Sequence, residues 1–200
     1  SGTVTTFAGT GAVGYAGDEG NATLAQLHGP TYLHSPSSTA SAGGWQLFVA
    51  DTGNHVIRQV DAAAIIRTVV GRSVGSAGDS GDGGAATLAQ LSAPTGIFVD
   101  PKDGLTLYIS DTGNHKIRKV SATGIINTLA GSGRAGYDDG YGVALDAVLN
   151  TPSAVWVLQE GDGQQHRGVY FTETGNHVIR CVHTADGSVE LVSGLGGPTY

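Results

Sequence analysis

The sequence predicts an all-β protein in which one four-stranded antiparallel unit is used three times, and three observations carry that prediction. First, Asp51-Thr52-Gly53-Asn54-His55, Asp111-Thr112-Gly113-Asn114-His115 and Glu173-Thr174-Gly175-Asn176-His177 recur, each followed by an arginine at Arg58, Arg118 or Arg180. Second, the central glycines lie 60 positions apart (113 − 53) and then 62 (175 − 113), a period long enough for four strands with their loops. Third, short runs of β-branched and aromatic residues alternate with turn residues through every period, and 33 glycines suit a fold made of tight turns.

In the middle period, Pro94 opens a run that ends at Val99, and Pro101-Lys102-Asp103-Gly104 turns the chain into a second run from Leu105 to Asp111. The Asp-Thr-Gly-Asn turn then leads to a third run from His115, and a fourth starts near Ile125. From the inside of a blade to its rim we name these strands a, b, c and d, expected near 95–99, 106–110, 115–120 and 125–130. The same starts recur at Pro30, Trp45, His55 and Ile65, and at Pro152, Val169, His177 and Val189. The predicted blades are 29–71, 93–131 and 151–194 within one domain over 1–200, led by a d-type strand at 3–9. An antiparallel meander repeated at this period is the signature of a β-propeller, whose sheets pack face to face around a channel. Runs that are apolar on both faces, such as Val155-Trp156-Val157-Leu158, fit a sheet held between two others.

On these residues the chain resembles the NHL-repeat family, in particular its long-repeat branch, where a loop like Gly81-Asp82-Gly83-Gly84-Ala85-Ala86-Thr87-Leu88-Ala89-Gln90-Leu91 precedes the proline of the next strand. The resemblance spans residues 3–194. Val56, Lys116 and Val178 stand where the family's name has leucine, and Glu173 stands where the motif usually has aspartate. The resemblance implies a six-bladed ring, of which this chain is half. Relatives implied by it include an amidating lyase with a metal and histidines in the central cavity, and lactonase-like and strictosidine-synthase-like enzymes with carboxylates at the channel mouth.

Composition bounds the function. With 200 residues, 40% of them hydrophobic, the chain can bury a core, and it holds no apolar run long enough to span a bilayer. Cys181 is the single cysteine, which excludes an internal disulfide and suits a small buried apolar residue on strand c. A Ser1-Gly2 start without any methionine reads as a segment cut from a longer protein. Asn21-Ala22-Thr23 is a glycosylation sequon, which leans toward an extracellular setting or an ectodomain.

The recurring polar residues read as a structural latch: Asp51, Asn54, His55 and Arg58; Asp111, Asn114, His115 and Arg118; Glu173, Asn176, His177 and Arg180. A buried arginine needs an acceptor, and the acid that ends strand b supplies it. Turns of different blades splay apart, so the three histidines do not converge and no metal site is expected; His28, His34, His166 and His183 show no ligand spacing. In a meander the b-to-c turns share one end with the long loops 9–29, 71–93 and 131–151, where Ala22 to Leu27 and Ala86 to Leu91 fit a helical turn. That face carries Asp18, Glu19, Asp79, Asp82, Asp138 and Asp139, with Asp146, against Arg72 and Arg134. It is the candidate binding face for a protein, peptide or glycan, and its sign argues against nucleic acid. Asp79-Ser80-Gly81-Asp82-Gly83 has the composition of a calcium loop without the EF-hand ligand order, so no cofactor is expected and calcium is the one ion considered.

The channel-lining a strands offer Thr31, Tyr32 and His34, then Thr95, Gly96 and Phe98, then Ser153, Ala154 and Trp156. No nucleophile, base and orienting group assemble from that set, so no catalytic residue is assigned. The expected function is a noncatalytic binding or assembly scaffold, the alternative being a fragment of a metal-dependent lyase or lactonase-like propeller whose active groups lie elsewhere. Three blades do not close a ring, so a homodimer or further blades must complete it. Pro198-Thr199-Tyr200 echoes Pro30-Thr31-Tyr32 at the start of a strand a.

Overall fold

The computed structural model describes residues 2–36, 46–72, 76–158 and 168–195. Trp45, His166 and Pro198-Thr199-Tyr200, singled out above, lie outside the described residues. Three antiparallel sheets follow one another along the chain. The first holds β1 (Gly20–Asn21), β2 (Pro30–His34), β3 (Leu47–Asp51), β4 (Val56–Val60) and β5 (Ile65–Val70). The second holds β6 (Gly96–Val99), β7 (Leu107–Asp111), β8 (Lys116–Val120) and β9 (Ile126–Ala130). The third holds β10 (Gly142–Val143), β11 (Pro152–Leu158), β12 (Gly168–Glu173), β13 (Val178–Val182) and β14 (Ser188–Ser193). The four expected strands of the middle blade start within about one residue of their predicted places.

Each sheet is a meander in the order a, b, c, d, with one addition that spacing did not show. The loop preceding a blade runs out to the rim of that same blade and adds a short fifth strand beside d in the first and third blades, β1 on β5 and β10 on β14, and a single bridge, Ala85 to Ile125, in the second. Within these loops Ala22–Leu24 and Ala86–Leu88 form the expected single helical turns, here of 3-10 type. Ala22, Ala25, Ala86, Ala89, Ala144 and Ala147 are buried there because only a methyl group fits between the loop and the sheet. Asn21 is exposed, and its side-chain oxygen caps the first of these turns by accepting from Thr23 N–H.

The register of c against d slips by one residue opposite each Ile-Arg step, Ile57-Arg58, Ile117-Arg118 and Ile179-Arg180. A bulge repeated at one place adds twist to every blade in the same way. The core lies between sheets. Phe48, Ala50 and Ile57 of the first meet Ile97, Val99 and Ile109 of the second. Phe98, Tyr108 and Ile117 on its other face meet Val155, Val169 and Phe171 of the third. Every residue of β6 and β7 is therefore buried, which removes the alternation that a half-exposed strand would show.

Residues 3–9, expected as a leading d strand, form no strand here. Ala8 instead packs against the outer cluster of Ala22, Ala25, Val60 and Ile66.

Candidate functional site

Each latch is built on the acid that ends strand b. Asp51 accepts from the His28 N–H at 2.7 Å, the Asn54 amide at 2.8 Å and Arg58 Nη1 at 3.4 Å. Asp111 accepts from the Ser92 N–H at 2.7 Å, the Asn114 amide at 2.9 Å and Arg118 Nη1 at 3.2 Å. Glu173 accepts from the Asn150 N–H at 2.8 Å and the Asn176 amide at 2.6 Å. Its extra methylene brings Oε1 to 2.9 Å from Arg180 Nε, an ion pair without hydrogen-bond alignment. Burial pushes the Asp111 carboxyl up to about 6 against the pull of Ser92, Asn114 and Arg118, and it raises Glu173 as well.

The second partner of each arginine is a loop aspartate. Arg58 reaches Asp18 at 2.6 Å, Arg118 reaches Asp82 at 2.6 Å and Arg180 reaches Asp138 at 2.7 Å. The asparagine of each turn donates onward to a loop carbonyl, at Gly14, Gly78 and Gly136. Burial opposes ionisation of Asp82, yet hydrogen bonds from Thr128 and Arg118 hold its carboxyl below the ordinary range. Asp138 is likewise held low against burial by the Val148 N–H and Arg180. Asp79 pairs with Lys116 at 2.7 Å, and Glu19 lies 3.6 Å from Arg67. Five of the six acids of the candidate binding face thus meet a cation of their own blade, while Asp139 is exposed. In the calcium-like stretch, Asp79 and Asp82 are held by Lys116 and Arg118.

The turn histidines do something that one repeat read alone does not reveal: they join blades. His55 Nδ1 accepts from the Ala93 N–H at 3.0 Å, and His115 Nδ1 accepts from the Thr151 N–H at 3.1 Å, each donor belonging to the next blade. Thr52 Oγ1 donates to the Pro94 carbonyl at 2.8 Å and Thr112 Oγ1 to the Pro152 carbonyl at 2.6 Å. Two consecutive amides are therefore clamped from two sides. Ser92 N–H goes to Asp111 of its own blade and Ala93 N–H to His55 of the blade before. Left-handed backbone at His55, His115 and His177 (φ 59°, 53° and 58°) aims the rings, and Gly29, Ala93 and Thr151 share the left-handed region on the receiving side.

At the two ends of the stack this joint is unmade. Thr174 Oγ1 turns back to the Thr151 carbonyl of its own blade at 3.0 Å, and His177 is exposed. A groove of about 480 Å³ runs past Thr172, Thr174, His177, Ile179 and Ser193. On the first blade Asp51 holds the His28 N–H, and Gly29-Pro30 presents the edge that the other blades insert into a histidine. An apolar groove of about 450 Å³ lies beside it, lined by Phe7, Ala8, Leu27, Tyr32, Leu33 and Leu47. Leu33 is 58% exposed, Ile179 38% and Trp156 53%.

The innermost strands align one ring from each blade, four residues after its proline. His34 lies 5.0 Å from Phe98, and Phe98 meets Trp156 edge-on at 4.9 Å. His34 Nδ1 also accepts from the Val99 N–H at 3.3 Å, and burial lowers its pKa from 6.5. The unfolded chain then binds the proton more readily than the folded one. Stability is full above pH 6.5, falls with acidification through 6.5, and stops falling below the folded value. Asp111 and Glu173, raised by burial, titrate with the opposite sign in the same window, so the His34 contribution is read as the difference between wild type and His34→Phe in melting curves from pH 7.5 to 5: wild type should lose more stability on acidification, and identical slopes would place the proton uptake elsewhere.

One cluster escaped the sequence. Cys181 lies on β13 and His183 is the residue just past that strand's end, two positions on, while Glu190 sits opposite Cys181 on β14. His183 Nε2 is 3.1 Å from Glu190 Oε1. The Cys-x-His spacing at the end of a strand was the available signal.

The family model described as Teneurin NHL domain matches residues 73–136. Teneurin-4 of Mus musculus is 34% identical over 116 residues, 52% of this chain and 4% of the relative. NHL repeat-containing protein 2 of Gallus gallus is 30% identical over 161 residues, 78% of this chain and 21% of the relative. The chain thus spans a minor part of these relatives' length. Among solved structures, an auxiliary nutrient binding protein from Bacteroides ovatus superposes with a TM-score of 0.59 at 20% identity, over 85% of this chain and 40% of that one. Virginiamycin B lyase from Staphylococcus aureus does so at 0.50 and 16% identity, over 88% and 46%. At such identities these two structures show the fold. With the repeated loop, proline, turn and Ile-Arg step in register on three meander sheets, and with these relatives, the chain belongs to the NHL-repeat family of β-propellers.

Proposed function

We propose that this chain is a noncatalytic assembly and binding module that works by packing its end faces on further blades, a second copy of itself serving as partner when it is alone, so that a six-bladed ring closes. The observation that carries this reading is the repeated joint. His55 and His115 each receive the amide before the next blade's proline, whereas His177 and Gly29-Pro30 are the two halves of the same joint standing apart. Apolar side chains on both end faces supply the burial that such a joint needs. A protein ligand on the long-loop face is a second contact, favoured by Leu24 and Leu88, which hold the same place in their loops and are each 71% exposed. The exposed Asn21 sequon fits an ectodomain setting.

Light scattering on the 200-residue chain tests the assembly. The expected mass is twice 20.2 kDa, and Leu33→Asp and Ile179→Asp should each give a monomer with an unchanged circular dichroism spectrum. Leu24→Asp, on the rim, should leave the dimer intact. A wild-type monomer that neither aggregates nor binds a hydrophobic dye would overturn the reading.

A further inference from the structure

We propose that the third blade carries a binding site for a divalent ion of the zinc class, formed by Cys181 Sγ, the His183 imidazole and the Glu190 carboxylate. One donor atom from each residue lies within 4.8 Å of the others. Zinc–ligand bonds of about 2.0 to 2.3 Å set tetrahedral donors roughly 3.5 Å apart, so side-chain adjustment of about 1 Å closes the set. A thiolate, an imidazole and a carboxylate together suit zinc and its transition-metal neighbours, not the all-oxygen shells of calcium or magnesium.

The surroundings support an ion site over chance proximity. Tyr170 lies opposite Cys181 on β12, and its hydroxyl hydrogen-bonds the cysteine sulfur, an outer contact of the kind that orients a metal ligand. Gly168 leaves the sulfur its space, since a Cβ there would collide with Cys181 Sγ. Asp186 is close enough to sense the charge of His183, adding negative potential at the outer edge.

The cluster is no part of the repeat. The corresponding places hold Gln59, Asp61 and Arg67 in the first blade, where Asp61 and Arg67 pair with each other at 3.1 Å. In the second blade they hold Lys119, Ser121 and Asn127. Neither set offers three ligands, so the latch and the joint do not account for Cys181, His183 and Glu190. Gln59 and Lys119 keep partial exposure although a blade packs after each of them. Asp61, Arg67, Ser121 and Asn127, in the places of His183 and Glu190, are exposed at least in part as well, so those two ligands keep solvent access when a blade covers the face, while Cys181 is buried. His183 and Glu190 are 26% and 34% exposed at the side chain, which leaves room for water as a fourth ligand.

The test uses the tag-free full chain, stripped with a chelator and titrated with zinc by calorimetry and with cobalt by absorption. One ion per chain is expected, with a thiolate-to-cobalt charge-transfer band. Cys181→Ser and Glu190→Gln, each checked for fold by circular dichroism, should weaken binding by roughly a hundredfold and remove or shift the band, and Tyr170→Phe should weaken it by about tenfold. Calcium should not compete. Absence of binding, equal binding by wild type and Cys181→Ser, or a cobalt complex without the sulfur band would each overturn the proposal, and none of these outcomes bears on the oligomeric state.

Discussion

Asp111→Ala should lower the unfolding free energy by about 3 kcal/mol, because it breaks a buried charge pair and leaves two further donors unpaired. Asp111 is fully buried and serves the Ser92 N–H, the Asn114 amide and Arg118 together. Arg118 retains Asp82 at 2.6 Å, which limits the loss. The Ser92 amide has no such reserve, and its neighbour Ala93 is the residue held by His55, so the effect reaches the joint between the first two blades. Asp111→Asn, which keeps the volume and one acceptor, should cost about 1 kcal/mol. Urea titration of both variants decides the matter: equal, small losses would show that the carboxylate's hydrogen bonds and charge add little to stability.

Gly131→Ala should cost a further comparable amount, about 3 kcal/mol, from two sources that can be separated. Gly131 ends strand d with φ +99°, as Gly71 (+100°) and Gly194 (+101°) do in the other blades, a conformation that alanine enters only with strain. Its Cβ would also land on the His115 carbonyl oxygen and lie 3.0 Å from Lys116 Cα, backbone atoms at the start of the neighbouring strand that cannot rotate away. Gly124, at φ +78°, has open space around the same added carbon, so Gly124→Ala registers strain alone, about 1 kcal/mol. Melting temperatures of the two variants measure the difference, and equal shifts would show that close approach of backbone contributes nothing.

Both predictions concern parts of the blade that were legible in the sequence to different depths. The Asp111 and Arg118 pair is seven positions apart within one repeat, and alternation on two adjacent strands brings it together, so reading a single period suffices. Asp82 lies 36 positions from the arginine it binds, in a loop whose glycines and aspartates look like plain turn chemistry. Its carboxylate reads as an exposed charge until the loop is seen to bend back along the rim of its own blade. The same bend turned five of six acids of the expected binding face into partners of local cations.

What the sequence by itself determined was the repeat: the strand order, the three blades, the turn at each Gly-Asn-His and the family, all of which follow from local hydrogen-bonding preferences and hydrophobic runs recurring at one period. What only the tertiary structure decided was everything that depends on which surface meets which. His55 and His115 prove to be joints because a neighbouring blade supplies the amide, 38 and 36 positions onward. Residues 3–9 form no strand, and Ala8 packs instead on the outer cluster of Ala22, Ala25, Val60 and Ile66. Cys181, His183 and Glu190 converge because an antiparallel register sets Glu190 across from Cys181. Pairing across strands and packing across sheets are long-range terms, and a local pattern constrains which residues face outward from a strand without naming what they will face.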